Sequence, residues 1–227
     1  MSRGADAYYT ELARDYDRVI RQLVPRYDEM LGALVDALEP RAPVRLLELG
    51  TGTGAAAARV LEALPGAHLS ATDLSPAMLE RAEARLARFG GRVRLARADL
   101  ARDDAPEEAL LDGAFTNLVL HNLRRDRKRT LLRALRARLA TGAILAWGDM
   151  VTFRSPDLLA RAVAYRRMFA LEAGCDPELL RWNFEKEGTE DHPLTVEETM
   201  VLGREVGFRG ADVTWAHDQF AVVVLEA

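Results

Sequence analysis

Val44 to Gly54 reads VRLLELGTGTG. A short apolar run that stops at a glycine turn marks a buried central strand feeding a helix. Ala55 to Leu64 supplies the helix, opening on four successive alanines. Glycines at positions 50, 52 and 54 suit a tight turn where a ligand must approach the backbone. Free N–H groups at the helix start then favour an electron-rich ligand group. The spacing is G-x-G-x-G rather than the dinucleotide fingerprint G-x-G-x-x-G. Glu48 stands two residues before the first glycine, where it would repel a pyrophosphate and suit a cationic or amine-bearing ligand. A ligand-free strand–turn–helix joint remains the alternative for this stretch alone.

Downstream, Ala67 to Thr72 reads as a second strand ending at Asp73. An acid at the carboxyl end of that strand can accept both ribose hydroxyls of a nucleoside. Ser75 and Pro76 then form a helix start, with a capping hydroxyl followed by proline at the first helical position. Arg92 to Ala98 alternates as a third strand ending at Asp99-Leu100, and Leu110 to Asn117 reads as a fourth. Asp103, Asp104, Glu107 and Glu108 read as a solvated acidic loop. Gly142 to Asp149 gives a fifth strand, with Trp147 and Asp149 on one face by alternation. Phe208 to Thr214 and Gln219 to Leu225 give two more.

ELGTGTG, TDLSPAML and LVLHNL together resemble the motifs of class I S-adenosylmethionine (SAM)-dependent methyltransferases. The resemblance runs from Tyr8 to Leu225. It implies an α/β, Rossmann-like seven-stranded sheet with helices on both faces and the last strand antiparallel. It also implies a helical N-terminal lid over residues 1–40, a SAM-binding domain over 41–227 and a lid insertion at about 155–194. SAM is the implied cofactor. The residues implied to hold it are Tyr27, Glu48, Gly50, Thr51, Gly52, Gly54, Asp73, Leu74, Met78, Asp99, Leu100 and Asn117. Asp99 would accept from the adenine amine, the Leu100 N–H would reach the ring, and Leu74 and Met78 would line the adenine. Asn117 would face the sulfonium and amino-acid end. The V-P-x-Y phrase at Tyr27, and Asn117, also resemble carboxy-SAM synthases. In the same alignment Phe184 stands where that enzyme would need a carboxylate-binding arginine.

The N-terminal stretch carries Leu12, Tyr16, Val19, Leu23 and Tyr27 on one helical stripe, with a break or kink expected at Pro25. Cofactor contact and plain packing stand as equal readings for Tyr16 and Tyr27; packing is preferred for Tyr9. His121, Asp149 and Tyr16 are the catalytic candidates, with a backbone-satisfied histidine as the alternative for His121. Candidates for the acceptor site are Tyr8, Tyr16, His121, Trp147, Trp182 and His192. The run RRDRKR, 124–129, leads into a helix whose Leu131, Leu132, Leu135 and Leu139 form the buried stripe. It lacks interleaved aromatics for base stacking, so a solvated face is expected rather than a nucleic-acid site.

The 227 residues are enough for one large α/β domain. A net charge of −4 gives no global pull toward nucleic acid or an anionic membrane. The single cysteine, Cys175, excludes an internal disulfide and a multi-cysteine zinc site, and no metal is expected. A cytoplasmic enzyme acting on a small molecule, as a monomer or homodimer, is the plain expectation. A SAM-using enzyme of other chemistry is kept beside it: cyclisation of SAM with release of methylthioadenosine, or carboxy-SAM formation. A non-catalytic SAM sensor is the third reading.

Overall fold

The computed structural model describes residues 12–102 and 110–227. Tyr8, Tyr9 and the acidic residues between 103 and 108 lie outside them. Seven strands form one sheet in the order β3-β2-β1-β4-β5-β7-β6. They are β1 Arg45–Leu49, β2 His68–Asp73, β3 Val93–Arg97, β4 Leu111–Asn117, β5 Leu139–Met150, β6 Gly210–His217 and β7 Phe220–Glu226. Strands β1 to β5 pair in parallel, and β7 runs antiparallel to both β5 and β6. This is the expected Rossmann-like class.

Among the described residues the helices are α1 Tyr16–Leu23, α2 Tyr27–Leu38, α3 Ala55–Ala63, α4 Pro76–Leu86, α5 Arg125–Arg136, α6 Pro156–Glu172, α7 Pro177–Thr189 and α8 Val196–Glu205. The break at Pro25 is real: α1 ends at Leu23, and Arg26 turns the chain with φ 57°. Proline cannot donate into the turn, so a continuous helix there would leave a carbonyl unpaired. Ser75 caps α4, Ser155 caps α6, and Thr195 with Glu198 closes a capping box on α8. In each the cap's side-chain oxygen accepts from the backbone N–H three residues on, and the Ser75 cap is as expected from the sequence.

Alternation along β1 sorts the core. Leu46 packs with α2 and α3 on one face, while Leu47 and Leu49 pack with α5 on the other. Glu48 therefore shares the α2 side with Leu46, and Asn117 shares it with Phe115. Met30, Leu31, Leu34 and Leu38 of α2 are fully enclosed in that core. Of the stretch expected as a lid, α2 is thus packed into the core, and it reaches the site through its first residue, Tyr27, while α1 reaches it through Tyr16.

Two expectations need correction. Leu139 does not continue the α5 stripe; it opens β5, which starts three residues before Gly142. Pairing with Leu111 of β4, across a local irregularity, sets that start. Lys128 is not on a solvated face. It is 1% exposed, and its ammonium donates to the carbonyls of Leu123, at 2.8 Å, and His192. The RRDRKR run therefore anchors a loop at its centre while its arginines stay at the surface or half-buried.

Candidate functional site

The strand order reverses direction at β1, and a crevice opens beyond the carboxyl ends of β1, β2 and β4. A cavity of about 220 Å³ fills it. Its walls include Tyr16, Tyr27, Glu48, Gly50, Thr51, Gly52, Asp73, Leu74, Met78, Asp99, Leu100 and Asn117. Eleven of the twelve residues expected to hold a cofactor thus meet in one place. The twelfth, Gly54, packs instead against α4: a Cβ there would lie 3.2 Å from Leu86 Cδ1.

The glycine loop owes its shape to local chemistry. Gly50 and Gly52 have φ 71° and 54°. Asp73 holds the loop from across the crevice, accepting from Gly52 N at 2.8 Å and from Ser75 N at 2.9 Å. Thr51 N donates to Thr72 O at 2.7 Å. A Cβ on Gly50 would sit 2.3 Å from Val119 Cγ2, whereas one on Gly52 would meet no atom within 4 Å. Both alanine variants carry about 1–2 kcal/mol of left-handed strain. We expect Gly50→Ala to lower the melting temperature markedly through the added clash. Gly52→Ala should fold with a smaller loss, and its methyl group would point into open space at the cavity rim. Thermal unfolding of the two variants separates clash from strain.

The polar lining of the cavity is rich in acceptors. Glu48 is 1% exposed, and its Oε2 has no hydrogen-bond partner. Burial pushes its carboxyl up to about 8, and the nearby Asp73 charge adds to the push. Asn117 Oδ1 is likewise buried without a partner. Unpaired buried acceptors are costly and call for donors. A ligand bearing an ammonium supplies such donors, and a sulfonium beside it adds positive charge facing these oxygens. Tyr27 is 5% exposed, and burial raises its phenol above the ordinary range. Asp99 accepts from Ala101 N at 2.9 Å, and the Leu100 carbonyl accepts from Arg127 Nε at 2.6 Å, which fixes the Asp99-Leu100 side of the crevice.

Helix α1 is pinned over the glycine loop. Thr53 Oγ1 donates to Asp17 Oδ1 at 2.6 Å, while Arg85 bridges Asp17 and the Thr53 carbonyl. Burial alone would raise the Asp17 carboxyl, but the bonds from Arg85 and Thr53 outweigh it and hold it below the usual range.

A second cavity, about 60 Å³, adjoins the first through Tyr16 and Leu118. Val19, Ile20 and Leu23 of α1 make its apolar wall; His121, Arg166, Lys186, Glu187 and Asp191 make its polar one. His121 Nδ1 lies 2.6 Å from Asp149 Oδ1. Asp149, 4% exposed, also accepts from His121 N, Met150 N and Trp147 Nε1, each at 2.9 Å. Asp149 therefore orients the histidine from behind, and Trp147 lies in the core beside Asp149 rather than on the cavity. His192 contributes its backbone, donating to His121 O at 2.6 Å; burial and the charges of Arg124 and Lys128 lower its ring. Trp182 sits on α7 and lines neither cavity.

Sequence reasoning missed the cations of this wall. Arg166 is 2% exposed, pairs with Glu187 at 2.7 Å and lies over the rings of Phe184 and Phe220. Its buried neighbours on α6 are Ala162 and Ala170, so the four-residue spacing carried the signal. Asn183, Lys186 and Glu187 likewise share one face of α7.

Residues 47–145 match the family model of a methyltransferase domain. A carboxy-S-adenosyl-L-methionine synthase of Aeromonas hydrophila is 31% identical over 160 residues, which is 67% of this chain and 63% of that one. A release factor glutamine methyltransferase of Bordetella pertussis is 46% identical over 81 residues, 34% of this chain and 29% of that one. The chain thus spans less than two thirds of the length of these curated relatives. Among solved structures, a putative O-methyltransferase from Nostoc punctiforme superposes with TM-score 0.70 at 16% identity, covering 96% of this chain and 60% of that one. Human N-acetylserotonin methyltransferase in complex with SAM gives 0.64 at 18%, covering 99% and 60%. Sheet order, acceptor-lined crevice and family match together identify in this chain a class I SAM-dependent methyltransferase domain, with S-adenosylmethionine as its cofactor.

Proposed function

We propose that this chain transfers a methyl group to an O–H or N–H of a small-molecule acceptor, with His121 as the general base. The observation that carries this reading is the His121–Asp149 pair, 2.6 Å apart, in a cavity that opens onto the cofactor crevice through Tyr16 and Leu118. When bound, SAM supplies a methyl already activated on a sulfonium. The chain's own task is then alignment and proton removal. Asp149 holds the Nδ1 edge of the imidazole, leaving Nε2 to take the acceptor's proton. The apolar wall from α1 excludes water, and α1 serves as the lid over both cavities. Glu48, Asn117 and Tyr27 would hold the amino-acid end of the cofactor, Asp73 the ribose, and Asp99 with Leu100 the adenine. No nucleic-acid or membrane partner enters this reading; no helix among the described residues is long and apolar enough to cross a membrane. The working unit is a monomer or homodimer in the cytoplasm.

A second reading is favoured by the likeness to the carboxy-SAM synthase. Tyr27 and Asn117 do line the crevice. Against carboxy-SAM, Arg166 on the second cavity is already paired with Glu187.

Incubation with SAM and an acceptor panel, followed by mass spectrometry, tests both. S-adenosylhomocysteine that accumulates only with an acceptor supports transfer, and methylthioadenosine without one supports cyclisation. His121→Ala should slow transfer by about 10²–10⁴-fold while leaving S-adenosylhomocysteine binding unchanged. Undiminished transfer in that variant would remove His121 from the mechanism.

A further inference from the structure

The ring of His121 has one proton site fixed from each side. Asp149 accepts from three other donors around its carboxylate, so it has no proton to offer, and Nδ1 must carry the hydrogen between them. On the far side, Nε2 lies 3.2 Å from Asn122 Nδ2. The orientation of that amide is set by two further contacts. Nδ2 donates to Val119 O at 3.0 Å, and Oδ1 accepts from Lys186 Nζ at 3.0 Å. Turned over, the amide would set oxygen against oxygen and N–H against ammonium. Lys186 is itself held by Asp191 at 2.6 Å, with side chains 8% and 2% exposed. Asp191 Oδ2 stands 4.0 Å from His121 Nε2.

We propose that Lys186 is a positioning residue for the transfer: through Asn122 it presents an N–H to Nε2, which keeps the Nε2 lone pair free of a proton until the acceptor's O–H or N–H displaces that amide contact. This rests on the reading of His121 given above. Without Lys186 only the bond to Val119 O still opposes turning the Asn122 oxygen toward Nε2. Asp191 then also faces that nitrogen without its counter-ion. Both changes favour a second proton on the ring, and an imidazolium accepts no proton from an acceptor. The other charged or titratable groups around the ring are Lys128 on α5, His192 on the same loop as Asp191, Arg166 on α6, Glu187 on α7 and Tyr16 on α1. None of them touches the Asn122 amide in a contact described above. If Lys186 only tied α7 to the sheet, its loss would leave the ring's protonation alone.

Long-range nitrogen–proton correlation spectra of the isotope-labelled full chain, without cofactor or acceptor, read this directly. There are four histidines, and His121 is assigned by its loss in His121→Gln. Near neutral pH the wild type should show a protonated Nδ1 and a bare Nε2. In Lys186→Met the Nε2 signal should move most of the way to the protonated position, and Lys186→Arg should restore the wild-type pattern. Lys186→Met strands a buried Asp191, so Asn122→Asp, nearly isosteric, serves as the second variant and should shift Nε2 the same way. A wild-type Nε2 that already carries a proton overturns the proposal. So does an Nε2 signal unmoved in folded Lys186→Met, whatever Asn122→Asp shows, or one unmoved in Asn122→Asp. Because no methyl transfer is measured, a failure here is distinct from a failure of the proposed function.

Discussion

Asp73→Ala is expected to weaken S-adenosylhomocysteine binding by about a hundredfold or more. Two hydrogen bonds from ribose hydroxyls to a carboxylate, at about 1.5–3 kcal/mol each, give that factor. The loss has a second source. The same carboxylate accepts from Gly52 N and Ser75 N, so its removal also frees the glycine loop that shapes the crevice. Asp73→Asn keeps the size but sets an amide N–H against one of those backbone donors, and it too should bind poorly. Equilibrium dialysis with labelled S-adenosylhomocysteine, alongside circular dichroism to verify the fold, measures both. Affinity unchanged in folded Asp73→Ala would move the ribose elsewhere.

Glu48→Gln should split stability from binding. The Glu48 carboxyl is raised by burial from 4.5 to about 8. Above its ordinary value the unfolded chain gives up a proton that the folded protein keeps. The stability of the ligand-free protein therefore falls as pH rises from about 4.5 to about 8, by up to about 1.4 kcal/mol per unit. Glutamine removes that slope. At about 2–4 °C per kcal/mol for a chain this size, the ligand-free variant should melt several degrees above wild type near pH 8. Binding should change in the opposite sense. The ionised carboxylate is the form that pairs with an ammonium, so wild-type binding below about pH 8 should release a proton and tighten by up to tenfold per unit as pH rises. Glu48→Gln should bind more weakly and lose that release. Calorimetry in two buffers of different ionisation heat counts the protons. Equal release in both proteins, with equal melting temperatures, would take Glu48 out of the cofactor's reach.

What the sequence made legible is what local chemistry decides. The β1 run, the three glycines, Asp73 and the Ser75-Pro76 cap sit within about thirty residues, and each is dictated by backbone geometry or by an orphan N–H. The order of motifs then placed Asp99 and Asn117 in the same crevice, where the structure has them. The wall of the second cavity was less legible because it forms only when α6 and α7 dock on the sheet. Lys186 and Asp191 stand in the charged stretch EKEGTEDH, 185–192, yet both are buried as a pair. Lys128, inside a basic run, is enclosed because the 192–194 loop folds over it and offers the His192 carbonyl. Trp147 alternates onto the face with Asp149 as expected, but that face is covered by α5 and α8, which turns an acceptor-site candidate into core.

The central claim is that the acceptor-lined crevice over β1, β2 and β4 holds S-adenosylmethionine. Titrating the wild-type chain with S-adenosylhomocysteine in a calorimeter at neutral pH tests it most directly. One saturable site per chain, with affinity in the micromolar range or tighter and competition by S-adenosylmethionine, is the predicted result. A folded protein that gives no saturable heat, and no thermal stabilisation at millimolar ligand, would contradict it.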